Sequence, residues 1–469
     1  MLFRFALLGC LTCLALGAES QLTFAPHGHI LTNTAAWSPD GEWLAYDVRP
    51  RPEDFVGDRI ERVRLRDGAI ETIYQTPPGS ACGVVTWHPT QARVVFIHGP
   101  ENPDESWSYG PSRRRGVLVD LEATSDSEPR VRPLDAMDYA APFTPGALRG
   151  GSHVHVFSAD GEMVSFTYDD EILSRPVLAS MPGSEPPEPN QRNIGVAFRV
   201  ATPVRTDRDH PRNHDGDWFS VLVTRTVVRP RPGSDEISRA FEDAWIGRAG
   251  YLKADGTRQP RALAFQGRVT AADGREHDEV FIVDLPADLA LPGPHGPLEG
   301  TLTRRPAPPA GVEQRRLTFT DRDPPALRGI QGPRHWLRSS PDGASIAFLR
   351  RDEAGVTQLW LVSPRCDAPA RQLTRLTQAP GIGSAFTWSP DGRALAAVIN
   401  DQVCLIDAHD GSFLSLTEAR STDEKPLDLA CVFSPDGRFI AFHRQVAPDN
   451  KDRDVRHIQV FVTEVPPQP

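Results

Sequence analysis

Lysine is almost missing from this chain. Its 469 residues include three lysines, Lys253, Lys425 and Lys451, against 48 arginines. A GC-rich genome imposes such a bias, and it also supplies guanidinium forks suited to carboxylates and phosphates. Basic residues are still outnumbered. The net charge of −11 argues against a general nucleic-acid binder. Several catalytic signatures are absent: there is no Gly-x-Ser-x-Gly elbow, no phosphate loop, no HExxH and no WD dipeptide pattern. Beyond the amino terminus no apolar run is long enough to span a bilayer, so the mature chain is expected to lack a transmembrane segment. What is plentiful is turn-forming residue, with 37 Gly and 45 Pro, and long helices are therefore not expected.

Residues 1–18 read MLFRFALLGCLTCLALGA, one arginine before an apolar run that ends in small residues. This is the pattern of a cleaved secretory signal, with cleavage after Gly17 or Ala18. A periplasmic or secreted protein is expected. Cys10 in a lipobox-like run offers a lesser lipoprotein reading. Cys82, Cys366, Cys404 and Cys431 remain in the mature chain at spacings that match no zinc motif. Cys404 and Cys431 sit in strand-like runs as buried thiols, and an oxidising compartment would permit one disulfide.

One pattern recurs: AAWSPDGEWLAYD at Ala35, FTWSPDGRALAAV at Phe386 and CVFSPDGRFIAFH at Cys431, with weaker copies at Val85, His155 and Leu337. Each reads as strand, tight turn, strand. Third and fourth strands follow, as in QLWLVSP and RQLT, at a period of about 45–60 residues. The chain is thus expected to be all-β, one propeller of four-stranded blades over residues 19–469. Seven or eight blades fit; counting Asp217–Thr226 and Arg261–Val269 as degenerate members gives eight. The last unit lacks a fourth strand, and QLTF at Gln21 matches the missing one, so the amino-terminal strand is expected to close the ring. Long loops are expected near 182–190 and 286–311, and one helix over Ser234–Trp245.

The SPDG hairpins resemble the TolB-like, PD40 class of propellers. HGHILTNTAAWSPDGEWLAYDVRP, VFIHGPENPD, PGALRGGSHVHVFSADG, PGSDEI and RAFED more closely resemble a bacterial family of exported propellers, the uncharacterised YidR-like family, which brings no established activity. A more distant resemblance is to oligogalacturonate lyases, propellers that hold a divalent metal with histidines near the central channel.

Aligned on the turn proline, the repeats place Asn33, Gly83, His153, His335, Ser384 and Leu429 at one position, the start of the innermost strand. That register points to one channel mouth. Ala-Leu-Arg-Gly precedes both His153 and His335, which adds Arg149 and Arg328. His155 is two residues after His153, on the same side of an ideal strand. The candidate metal set is therefore His153, His155 and His335, with His29 leaning in from the loop before blade one. Manganese, zinc and nickel all accept such imidazole sets. The candidate ligand set is Arg149, Arg328, Asn33 and Ser384. Arg113-Arg114-Arg115, after Trp107 and Tyr109, reads as a solvated loop or as an aromatic and arginine wall for an acidic sugar. His210 and His214 read as exposed turn residues.

Two functions follow. One is a non-catalytic exported propeller that binds a ligand or another envelope protein at the mouth. The other, implied by the lyase resemblance, is metal-assisted elimination on acidic oligosaccharides.

Overall fold

The computed structural model describes residues 19–122, 130–175, 186–208, 210–333, 336–420, 423–447 and 455–467. The expected signal segment, 1–18, lies outside them, as does His335. Among the described residues no helix is long and apolar enough to cross a membrane.

The SPDG hairpin is built by its own side chains. In the first repeat the Trp43 amide donates to Ser38 Oγ at 2.9 Å and the Glu42 amide to Asp40 Oδ1 at 2.9 Å. Gly41 takes the left-handed conformation at φ 72°, which a side chain would resist. Ser389 with Asp391 and Ser434 with Asp436 repeat the arrangement, each serine hydroxyl donating to the aspartate at 2.6 Å.

Seven four-stranded antiparallel sheets result, making a seven-bladed propeller. The blades begin with inner strands at His29, Cys82, Gly150, Ile237, Arg338, Thr387 and Pro426. The count of eight is thus corrected. Gly216–Leu222 is the outer strand of blade three, and Ala262–Thr270 is the second strand of blade four. The long interval is filled instead by a twelve-residue strand, Asn193–Val204, and by a small hairpin, Tyr251–Leu252 with Arg258–Gln259, inserted into blade four. Glu19–Gln21 lies antiparallel beside His457–Glu464, two residues earlier than the QLTF match, with Glu19 opposite Thr463.

The expected helix over Ser234–Trp245 is instead the inner strand of blade four, Ile237–Trp245. Its pairing shifts twice, between Ile237 and Ala240 and again between Phe241 and Ala244. Each shift adds a residue, so the buried positions Ala240 and Phe241 fall three and four residues after buried Ile237. A doubly bulged strand thereby imitates the helical period.

Apolar clusters fill the gaps between blades. One joins Leu22, Trp37, Tyr46 and Val63 to Val432, Ala441 and Val460, so blades one and seven pack against each other. The repeat tryptophans tie neighbours together. Nε1–H of Trp37, Trp245 and Trp388 donates at 3.0 Å to the inner-strand carbonyls of Val432, Val156 and Arg338, each on the preceding blade. Trp388→Phe should lose this bond while keeping most of the ring contact, costing about 1–2 kcal/mol. Urea unfolding would measure it, and no loss would show that the bond contributes nothing. The four cysteines among the described residues, Cys82, Cys366, Cys404 and Cys431, are free thiols.

The described parts of the two expected loops meet. Glu188 pairs with Arg305 at 3.1 Å, and its amide donates to the Thr303 carbonyl at 2.9 Å. Residues 182–185 lie outside the described residues.

Candidate functional site: the arginine-rich channel mouth

Inner strands run along the channel, so their first residues meet at one mouth. A cavity of about 220 Å³ there is bordered by Asn33, Val84, His153, Trp336 and Leu429, from five blades, with Phe55 and Arg114 from longer connections. The repeat register therefore brings Asn33 and His153 to one place. His335 itself is outside the described residues, but its neighbour Trp336 borders the mouth.

His155 is a correction. Between His153 and Val156 the inner strand of blade three is bulged, and Val154 takes φ 57°, a left-handed angle costly for a β-branched residue. The bulge breaks the two-residue alternation. His155 turns into the seam with blade two. Its Nε2 meets Ser152 Oγ at 3.0 Å, and that hydroxyl donates to Asp135 at 3.1 Å. A Cβ built on Gly116 would lie 2.9 Å from the same Nε2, so only glycine leaves the ring its room. Burial pushes the His155 pKa down to about 3. His153 and His155 therefore do not form a shared ligand pair.

The other candidates scatter. Arg149 is fully buried, pairs with Asp170 at 2.9 Å and donates to the Thr301 and Arg304 carbonyls, pinning the 286–311 loop. Arg328 donates to the Asp323 carbonyl at 2.9 Å and to Asp273 at 2.8 Å, holding a hairpin turn of blade four. The two Ala-Leu-Arg-Gly copies differ in conformation, one a short strand and the other a 3₁₀ turn, so the shared tetrapeptide builds no shared site. Ser384 is spent on the Ala385 carbonyl and the Val398 amide. His29 is buried, with Nδ1 on the Ile458 carbonyl at 3.1 Å and its ring 4.4 Å from that of His27. Burial holds its pKa near 4.

What gathers around His153 instead is positive charge. Its Nδ1 is buried without a hydrogen-bond partner. Burial first, then Arg114, Arg192 and Arg239, keep its pKa well below the usual imidazole value. Arg114 donates to the Tyr109 hydroxyl at 2.7 Å, and Tyr109 stacks on Phe55 at 5.0 Å. Arg239 lies 4.6 Å over the Phe241 ring. Partial burial and its neighbours Arg192 and Arg268 lower its pKa. Neither Arg114 nor Arg239 has a carboxylate partner among the described residues.

Deeper in the channel, buried Arg338 of blade five reaches the Asn33 carbonyl of blade one at 3.3 Å. Asp243 and Glu242 face its charge. Burial raises their pKa values to about 6 and about 7. Arg239, Glu242 and Asp243 all belong to the RAFED stretch. Reading it as a helix hid them, since only a strand places them along the channel wall.

His277, Glu279 and Asp321 are close enough to share a metal ion. The guanidinium of Arg316 already fills that role, 3.0 Å from Glu279 and 2.5 Å from Asp321. Glu279 also meets His277 Nε2 at 3.1 Å and accepts from the Thr320 amide and the hydroxyls of Thr318 and Thr320; against its burial, His277, Arg316 and the two hydroxyls hold its pKa near 2. Its lone pairs are taken, so the donor set does not fit a metal.

Comparison with known proteins adds three findings. A family model described as a protein of unknown function, DUF3748, matches residues 81–214. YidR of Escherichia coli (strain K12), an uncharacterised protein, is 46% identical over 430 residues, covering 91% of this chain and 94% of its own. Among solved structures, an oligogalacturonate lyase in complex with manganese aligns with a TM-score of 0.52 at 10% identity, covering 97% of this chain and 94% of its own. A second oligogalacturonate lyase, from Vibrio parahaemolyticus, aligns at 0.50 and 9%, covering 97% and 95%. These structural likenesses speak to fold alone.

Proposed function

The chain belongs to the same family as Escherichia coli YidR, and from that premise we propose that it is a binding propeller that takes an anionic ligand, such as an acidic oligosaccharide, at the Arg114–His153–Arg239 mouth. The observation that carries this reading is the pair of guanidiniums without carboxylate partners. Nearly every other semi-buried arginine here has one. Burial lowers the Arg239 pKa, with Arg192 and Arg268 adding to that and Asp169 and Asp278 opposing it, so a bound anion would favour its charged form. Phe55, Tyr109 and Trp336 supply flat apolar surface beside the charge, which suits a sugar ring. His153, neutral at pH 7, adds a hydrogen-bonding edge.

Calorimetric titration with an oligouronate tests the proposal. Arg239→Gln and Arg114→Gln should each weaken binding about tenfold, the value of one charge-assisted hydrogen bond. Affinity unchanged in both variants would sink it. A metal-assisted lyase is the alternative. The geometry supports it less, because His155 faces the blade seam and Arg149 and Arg328 are engaged elsewhere. Formation of unsaturated product from the oligouronate with added manganese would favour it. Export to the periplasm or beyond belongs to the same proposal and rests on the leader pattern of residues 1–18.

A further inference from the structure

The channel has a second mouth, at the end where the Ser-Pro-Asp-Gly turns lie. All seven blades border a cavity of about 630 Å³ there. That volume falls in the range of small-molecule sites, about 300–1,000 Å³. Its wall is largely carbon. Four turn prolines, Pro89, Pro341, Pro390 and Pro435, alternate with Trp37, Trp245, Trp388 and Phe433. Each of the three indole N–H groups already donates to a neighbouring blade. The hydroxyls are engaged as well, those of Ser340, Ser389 and Ser434 on their turn aspartates and that of Thr387 on the Cys431 carbonyl. A hydroxyl-rich ligand would find few partners here.

Three charged residues border the cavity, Asp160, Arg248 and Arg338. Asp160 is satisfied within the fold by Arg261 at 2.6 Å, the Ser158 hydroxyl and the Glu162 amide. The two arginines meet only carbonyls. Exposed Arg248, at the rim, donates to Pro390 at 2.9 Å. Buried Arg338 donates to Leu337 at 2.7 Å and, across the channel from blade five to blade one, to Asn33 at 3.3 Å. Neither has an ion-pair partner among the described residues. Asn33 borders the first mouth, so Arg338 stands between the two cavities and floors this one. Asp243 and Glu242 act on Arg338 from the channel wall, without pairing with it and without bordering the cavity. They offset part of its charge, so the floor suits one negative charge better than two.

We propose that this second mouth is a ligand site, separate from the anion mouth proposed above, for an aromatic monocarboxylate. The ring of the ligand packs on the proline and indole wall, where flat aromatic surface finds its best partners. The two unpaired guanidiniums supply the counter-charge for its carboxylate. A sugar acid carries the same charge but not the apolar body that the wall requires.

The test titrates the full chain calorimetrically with indole-3-acetate and with its neutral isostere, indole-3-acetamide. The acid should bind at least about tenfold more tightly than the amide, the value of one charge-assisted hydrogen bond. Galacturonate in excess should not displace it. Arg248→Gln, at an exposed position, should weaken indole-3-acetate about tenfold. Arg338→Gln, checked for folding by thermal melt, should weaken it further. Arg114→Gln, at the first mouth, should leave it unchanged, which separates this site from the proposed mouth function. No binding of indole-3-acetate, equal affinity for the amide or displacement by galacturonate would overturn the proposal. So would affinity unchanged in Arg248→Gln, or a loss in Arg114→Gln.

Discussion

Glu19→Ala should destabilise the protein by about 3–5 kcal/mol, out of proportion to a residue at the edge of the described chain. Its carboxylate receives Arg444 Nε and a terminal nitrogen, both at 2.8 Å, and Arg420 at 3.1 Å. The Arg444 side chain is fully buried in the second strand of blade seven, near the rings of Phe442 and Phe461. Removing Glu19 leaves that charge in a place water does not reach. Next to this pair, the Leu22 amide donates to the Val460 carbonyl at 2.9 Å and Thr23 Oγ1 to Gln459 at 2.7 Å. If these contacts clasp the ring, deleting 19–24 costs more than Glu19→Ala, because an outer edge is bared as well. Glu19→Ala with Arg444→Met should recover most of the loss, since an apolar pair of similar volume can replace a buried ion pair. Urea unfolding measures all three. A Glu19→Ala cost below about 1 kcal/mol, or a double variant no better than the single, would refute the clasp.

Acid should unfold the protein steeply between about pH 6.5 and 4.5. Burial lowers the pKa of His29, His88, His98 and His214 to about 4 and that of His155 to about 3, and His153 is lowered too. An imidazole held below its unfolded value of about 6.5 contributes stability that is complete above that pH. The contribution is lost as pH falls toward the folded value. Four carboxyls act in the opposite sense, buried Asp47 among them. Burial raises Asp135 and Asp243 to about 6 and Glu242 to about 7, so their protonated forms regain stability over the same fall. The histidines outnumber them. The expected slope is on the order of 2–4 kcal/mol per pH unit. Thermal melts from pH 7.5 to 4.5 measure it. A melting temperature that holds level or rises on acidification would show that the carboxyls dominate.

The site was only partly legible beforehand. The repeat register placed Asn33 and His153 correctly at one mouth, because a strand start is counted from its own turn. His155 was misplaced because alternation holds only in an unbroken ladder, and nothing in GGSHVHVF announces a left-handed valine. Arg239, Glu242 and Asp243 went unseen because two bulges gave their strand a helical spacing. Arg149 and Arg328 looked like rim charges. Whether an arginine meets a carboxylate or a ligand depends on loops more than a hundred residues away, as with Thr301 and Arg304.

The sequence by itself determined the blade. The Ser-Pro-Asp-Gly turn carries its own hydrogen bonds and its own left-handed glycine, so each hairpin is specified within about a dozen residues. The order of strands within a blade follows, since neighbours in sequence pair as neighbours in the sheet. The tertiary structure alone decided how many blades close the ring and which face each bulged inner strand shows the channel. Those outcomes come from packing between blades, where a left-handed residue or a buried charge is tolerated only because a neighbour remote in sequence holds it.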